Sequence, residues 1–586
     1  MALAKVCLGE YPYLQPGLQL ESPFLPLLVK RDSLNFISQH DRLQVVSVNL
    51  RTLVVNKSTK ISEIIENFSE SNTDLLLVDE NAIVTKPHLE LLTDYPRGTT
   101  TALVAPMFHG DIRVTGDRVA GASSKFHNLE GGNNTFVGIL RLSQNQREAI
   151  ITTLTAVKNS EAYGEAIDLV LVALVRAAVV VSPASLTSAP YIRSADESAK
   201  AKVQEEINNL NIARLRLKMA NRANDGFFSV FVLRKFSKLF TWAAVRLKMT
   251  PNQVTLISFA IGLLSAYEFS RGTFWTIFAG AILLQLSIIV DCVDGELARY
   301  TRQFSALGAW LDAITDRIKE YLVFFALAYG AAKNGSDLWI PAMFMMVFQT
   351  FRHLSDYNFA RINKVRSTNL PVIDFNQASD GFIPVDKVKK SRFEYWSKKA
   401  LQFPIGERWL VISAASIIGG AAFTFTIMPI LALISIVLIF RSRVRKSRTW
   451  PKMRVNKNLI DDQLDFFRNE KSTNRFDWLE PSILRALEGA IFIWAVVATD
   501  LNRPAAFLLL FAILYGHYDA LYRALQGEHK PKWLAIAGGF ILGRVTLLGI
   551  FLALGWSIVP LVWYFSVLFF VISSIQWVAG HKARSK

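Results

Sequence analysis

Hydrophobic and polar positions divide the chain near residue 225. Before that point, short Val-, Leu- and Thr-rich runs at 43–48, 74–78, 101–106 and 135–142 predict strands. Stretches 60–70 and 143–158 between them have helical periodicity, giving an α/β pattern. From 196 to about 223 the sequence is polar with leucines at helical spacing, which predicts an exposed connecting helix. Segment 227–249 then mixes Phe227, Phe228, Phe231, Phe236, Leu239, Phe240 and Trp242 with Arg234, Lys235, Lys238, Arg246 and Lys248. Apolar residues beside a basic face suit a helix lying on a membrane surface. An ordinary amphipathic core helix has the same pattern, but the long apolar run that follows at once favours the surface.

A spanning helix needs about 20 mostly apolar residues. Ten stretches qualify as candidates: 253–270, 274–298, 305–333, 337–358, 408–424, 427–440, 480–499, 503–523, 533–555 and 558–580. With the N-terminus inside, the even-numbered exits fall at 363–408, 441–457, 528–532 and 581–586, all rich in Lys or Arg. Opposite connections, such as Met428 with Pro429 and Ser557, are nearly uncharged. The positive-inside rule therefore places both termini, and the basic loops, in the cytoplasm of an integral, multi-pass membrane protein. No apolar stretch follows a basic start at residues 1–12, so no signal peptide is expected.

The net charge of +17 would suit nucleic acid, a membrane surface or phosphorylated substrates. Loop bias of a polytopic protein accounts for it, so no nucleic-acid partner is expected. Only Cys7 and Cys292 are present, which leaves no disulfide framework or thiolate metal site. The eight histidines show no ligand spacing.

The second and third candidate spans contain Asp291, Asp294, Asp312 and Asp316. Each carboxylate at membrane depth costs about 2.5–3.5 kcal/mol, so the group approaches roughly 10 kcal/mol before compensation. Metal coordination is the usual compensation, and an oxygen-only set suits Mg²⁺ or Mn²⁺. Asp291 and Asp294 are i and i+3, Asp312 and Asp316 i and i+4, so each pair shares a helix face. A turn at 300–304 brings the two helices side by side. Structural salt bridges to Arg299, Arg317 and Lys319 are the alternative, but they explain neither Gly295 nor the clustering.

These residues form the string D-x2-D-G-x2-A-R-x8-G-x3-D-x3-D, with Gly295, Ala298, Arg299 and Gly308 at its other fixed positions. It resembles the motif of the CDP-alcohol phosphatidyltransferases at every fixed position. The basic amphipathic helix, and Thr250-Pro251-Asn252-Gln253-Val254-Thr255 opening the first span, are similar to that family too. The likeness covers about 225–445. It implies a six-helix catalytic bundle, with Asp291, Asp294, Asp312 and Asp316 as the metal site and Asp316 as the general base. Gly295 would let the nucleotide approach the helix backbone, and Arg299 would face the donor's phosphates. Asn252, Thr255, Ala298, Ser305 and Gly308 would complete the CDP site. Implied partners are a CDP-linked donor (CDP-diacylglycerol or a CDP-alcohol), a hydroxyl acceptor that is in some members phosphorylated, membrane lipid and a second copy in a homodimer.

Residues 75–81 and 135–141 resemble the middle of sugar-nucleotidyltransferase domains, which certain archaeal enzymes fuse to this membrane unit. The Gly-rich nucleotide loop is missing, since 1–50 hold only Gly9 and Gly17. The implied organisation is a degenerate nucleotidyltransferase-like α/β domain at 1–195, a connecting helix at 196–224, an all-α transferase membrane domain at 225–445, a cytoplasmic linker at 446–478 and four further spans at 479–586. Arg485, Glu488, Asp519 and Arg544 in or near those last spans suit a functional site or interhelical ion pairs equally. The competing readings are a bifunctional enzyme whose first domain makes the donor, and a transporter or receptor with a soluble sensor.

Overall fold

The computed structural model of the chain describes residues 50–93, 99–115, 118–123, 129, 131–158, 166–186, 189–221, 226–368, 392–450, 455–456, 471–472, 474–499, 501–526 and 530–584. The predicted strand at 43–48 and most of the predicted linker at 446–478 lie outside them. The chain divides into two units, one within residues 9–219 and the other taking in 220–367 and 388–586.

The first unit contains strands β1 (Arg51–Val55), β2 (Leu75–Asp79), β3 (Ala82–Ile83), β4 (Thr100–Pro106), β5 (Ile112–Thr115), β6 (Arg118–Ala122), β7 (Asn134–Leu142), β8 (Val181–Ser185) and β9 (Ile192–Arg193). Its main sheet runs β1-β2-β7-β4-β8, with the β5–β6 hairpin joined to β7. β1 is parallel to β2 and β8 to β4, while β7 is antiparallel to both β2 and β4. Leu75 and Leu77 join one core with Phe68, Leu140 and Ile150, whereas Leu76 joins another with Leu103 and Ile139. Alternate residues point to opposite faces, so an unbroken Leu run means that both faces are covered. Helices Glu197–Asn208 and Ile212–Ala220 replace the single connecting helix predicted, and both bond back into this unit: Lys200 to Asn81 at 3.0 Å, and Arg216 to Glu90.

In the second unit, seven helices among the described residues are long and apolar enough to cross a membrane, which defines an integral membrane protein. Pro251–Arg271 starts with a capping box on Thr250 and Pro251 in its first turn. Phe274–Thr301 ends where Arg302 takes a left-handed φ of 62°, and Ser305 caps Ala306–Lys333. That helix and Trp339–Thr368 fill the third and fourth predicted spans but are not among the seven.

Ile405–Arg448 covers the fifth and sixth predicted spans, and the reversal between them falls elsewhere than Met428 and Pro429. Gly419 and Gly420 leave helical geometry, Gly420 with φ 66°. Ser435 Oγ then donates to Gln402 O at 2.9 Å. A continuous helix would put those residues about 50 Å apart at 1.5 Å per residue, so the chain folds back at the glycine pair. Only glycine takes that φ without strain, whereas Pro429 is tolerated inside the returning helix. Four further spans follow: Glu480–Thr499, Arg503–Leu525, Lys532–Ala553 (broken at Gly538 and Gly539) and Val559–His581.

Segment 227–249 is a π-turn, Ser229–Leu233, running into the helix Arg234–Arg246. In that helix Arg234, Ser237 and Thr241 are the buried polar residues, while Lys235, Lys238 and Arg246 stay exposed. Arg234, Ser237 and Thr241 all donate to Glu296, at 2.7, 2.8 and 2.6 Å. Phe236, Leu239 and Trp242 stay 52, 60 and 41% exposed. The outward face thus mixes large apolar side chains with basic ones, the pattern from which the sequence analysis expected a membrane-surface helix.

Candidate active site

Asp291 and Asp294 project from Phe274–Thr301, and Asp312 and Asp316 from Ala306–Lys333; all four are buried. Carboxylate oxygens of Asp291, Asp294 and Asp312 lie within 4.8 Å of one another. Ligand oxygens of an octahedral Mg²⁺ stand about 3–4.2 Å apart, so the trio is close to the spacing one ion requires. The residues therefore fit a hard divalent cation. Asp316 stands beside them with cationic neighbours: Lys319 Nζ at 3.2 Å and Arg317 at 3.8 Å.

The neighbouring helix completes the frame. Thr255 donates to Asp294 at 2.6 Å, and Ser258 to Asp291 at 3.3 Å. Lys319, fully buried, reaches Asp291 at 2.8 Å and Ser258 at 2.9 Å. From sequence, Lys319 was named only as a possible salt-bridge partner of the acids, which it is, and Ser258 was not named. The usable signal was a lysine seven residues after Asp312 in an apolar span, which must find a partner.

Among the residues expected to contact the donor, Asn252, Ser305 and Gly308 come together. A Cβ on Gly308 would sit 2.7 Å from Asn252 Oδ1 and 2.9 Å from Ser305 Oγ, so a methyl there would have to push both side chains aside. Gly295 lies under the Arg299 guanidinium, its Cβ position 3.2 Å from Nη1. Arg299 Nε also donates to Ala220 O, and Ala298 is buried on the same helix.

In the first unit, Arg193 Nε bonds Asp79 at 2.7 Å, and its two terminal nitrogens take Asp168 bidentately at 2.8 Å each. Burial alone would lower its pKa, but the hydrogen bonds and charges of Asp168 and Asp79 raise it above the ordinary arginine value. Of the ionisable residues picked out in the last spans, Glu488, Asp519 and Arg544 are ion-paired, whereas Arg485 donates to Pro481 O at 3.0 Å. Arg544 bonds Glu488 bidentately at 2.6 and 3.0 Å, His517 adds a contact at 2.8 Å, and Asp519 meets Arg523 at 2.9 Å.

The two acid pairs thus lie on adjacent helices and carry the motif given above. Residues 248–374 match the family "CDP-alcohol phosphatidyltransferase", so the membrane unit carries such a domain. Residues 467–581 match a "Family of unknown function (DUF5941)". The "Bifunctional IPC transferase and DIPP synthase" of Archaeoglobus fulgidus is 32% identical over 149 residues, 25% of this chain and 29% of that protein. The "Archaetidylinositol phosphate synthase" of Pyrococcus horikoshii is 42% identical over 84 residues, 14% and 43% of the two chains. The "Phosphatidylinositol phosphate synthase" of Mycolicibacterium smegmatis is 34% identical over 99 residues, 17% and 43%. The chain thus spans less than half the length of each of these relatives. The solved inositol-1-phosphate CTP transferase from T. maritima aligns over 26% of this chain and 65% of that one, at 13% identity and a TM-score of 0.21.

Proposed function

We propose that the chain moves a phosphoalcohol or phosphatidyl group from a CDP-linked donor to a hydroxyl acceptor, releasing CMP at the cytoplasmic side of a membrane. The convergence of Asp291, Asp294 and Asp312 carries this reading. With Asp316 they would hold Mg²⁺ or Mn²⁺. Once bound, the ion neutralises the donor pyrophosphate and the leaving CMP. Asp316 accepts the acceptor's hydroxyl proton, oriented by Lys319 on the next turn. Thr255 fixes Asp294, and Arg299 presents its guanidinium to the donor phosphates. Asn252, Ser305 and Gly308 border the donor on one side, Gly295 and Ala298 on the other.

Two relatives are named for phosphorylated inositol lipids, which favours a CDP-lipid donor and a phosphorylated inositol acceptor. Lipid and polar-metabolite profiling of a strain lacking this protein tests the reading. The missing compound should be a phosphodiester, and an unchanged profile would count against it. Both termini face the cytoplasm in this reading, so a cysteine at exposed Ser442 should resist an impermeant thiol reagent in intact cells. Two copies associate as a homodimer, and a monomeric mass in detergent would contradict that.

For the N-terminal unit, assembly or regulation is favoured by Arg193, whose guanidinium occupies the space between two carboxylates that a divalent ion would otherwise need. The bifunctional alternative, in which this unit also makes the donor, is favoured by the names of several relatives.

A further inference from the structure

The geometry points to a role for the C-terminal spans: Tyr518 and Asp519 are positioning residues that set the place of Asp312 and Asp316. This rests on the transferase reading above.

Helix Ala306–Lys333 has two working faces. Asp312, Asp316 and Lys319 face the other acid pair and Pro251–Arg271. There Lys319 bonds Ser258, and Gly262 leaves room for its stem, since a Cβ would lie 2.7 Å from Lys319 Cδ. Trp310, Arg317, Tyr321 and Phe325 follow at spacings of seven, four and four residues and form a separate stripe. That stripe packs along Arg503–Leu525, the most enclosed of the seven apolar helices. Phe325 meets Phe507 with ring centroids 5.4 Å apart, and Tyr321 meets Phe511 at 5.6 Å.

Two polar links tie this stripe to the acids. Trp310, two residues before Asp312, donates its indole N–H to Asp519 Oδ1 at 2.9 Å. Asp519 is itself fixed by Arg523 at 2.9 Å, Lys530 at 3.0 Å and Ser573 Oγ at 2.5 Å, so it is a rigid acceptor. The second link starts at Tyr518, whose hydroxyl lies 2.8 Å from His353 Nδ1. His353 Nδ1 is 3.1 Å from Arg317 Nη1, and Arg317 directly follows Asp316. The catalytic helix is held from both sides, by Pro251–Arg271 on its acid face and by the C-terminal spans on the other. Metal sites need their ligands placed within about 0.5 Å, and Mg²⁺ demands near-ideal geometry. Loosening the C-terminal side should therefore weaken metal binding before it unfolds the bundle.

The test uses the full chain in detergent, with Mn²⁺ affinity titrated directly and CMP release measured alongside. Trp310→Phe keeps an aromatic ring but removes the N–H donor. It should weaken Mn²⁺ binding about tenfold, the scale of one buried hydrogen bond to a charged group, and lower kcat. Trp577→Phe is the packing control: its ring lies 6.3 Å from that of Trp310 at the same contact, but it does not bond Asp519. This variant should lower Tm and leave Mn²⁺ affinity unchanged. If Trp310→Phe does not fold, Tyr518→Phe serves, with a smaller loss in the same direction. Wild-type Mn²⁺ affinity in both variants, or equal weakening by Trp577→Phe, would overturn the proposal. Wild-type protein that binds Mn²⁺ but releases no CMP from any CDP-linked donor would defeat the transferase reading alone. Wild-type protein that binds no Mn²⁺ would defeat both.

Discussion

Lys319 Nζ lies 2.8 Å from Asp291 Oδ1, a fully buried ion pair joining the two helices that carry the acid motif. The same ammonium reaches Asp316 at 3.2 Å, so one cation spans both acid pairs. Breaking a buried pair leaves an uncompensated charge and typically costs about 3–5 kcal/mol. Lys319→Met keeps the stem and removes the charge. It should lower Tm strongly and reduce CMP release by more than tenfold at a temperature where the protein is folded. Gly262→Ala should do part of the same, because the new methyl would displace the Lys319 stem. Unchanged melting and turnover in both variants would show that the pair is dispensable.

Glu296 ties the helix Arg234–Arg246 to Phe274–Thr301. It lies two residues after Asp294 and accepts from Arg234, Ser237 and Thr241. Glu296→Ala removes the carboxylate paired with the buried Arg234 and should destabilise by roughly 3–5 kcal/mol. Thermal melting in detergent checks the magnitude. Limited proteolysis should show new cleavage within 227–249, whereas wild-type protection there would mean the helix docks by other contacts.

The sequence was most informative where periodicity and charge were strong. Three of the four predicted strands were located to within a residue, because Leu- and Val-rich runs buried on both faces leave few alternatives. The Ala166–Arg176 helix was missed: its near-continuous apolar sequence does not show the one-sided pattern of a surface helix. The hairpin turn at Gly419 and Gly420 was placed nine residues late, since Pro429 is the louder local signal although glycine alone takes the required φ. At the site, four acids stood out because charge inside a membrane demands a reason. Their polar supports, Thr255 excepted, did not. Ser258 and Glu296 matter through partners up to 61 and 62 residues away, and no local spacing reveals such pairs. Trp310 and Asp519, 209 residues apart, are the extreme case.

The Arg193 bridge makes a prediction for the N-terminal unit. Its guanidinium is held by Asp79 and Asp168 together, so among the described residues this carboxylate pair is already engaged and not open to a metal–triphosphate complex. The full chain incubated with CTP, Mg²⁺ and a panel of phosphoalcohols should release no pyrophosphate. Sustained release would make the protein bifunctional and show that Arg193 moves aside.

The most direct measurement is CMP release by the purified protein in detergent, from CDP-diacylglycerol and CDP-linked alcohols with an acceptor panel, across Mg²⁺ and Mn²⁺ concentrations. Wild-type protein should release CMP only with a divalent ion, and chelation should abolish the signal. Asp291→Ala should lose both turnover and metal-dependent donor binding. Asp316→Asn should keep donor binding and lose turnover by at least about 10²-fold, the lower end for removing a general base. CMP release that survives chelation, or that Asp291→Ala and Asp316→Asn leave at the wild-type rate, would contradict a metal-assisted transferase built on these four aspartates.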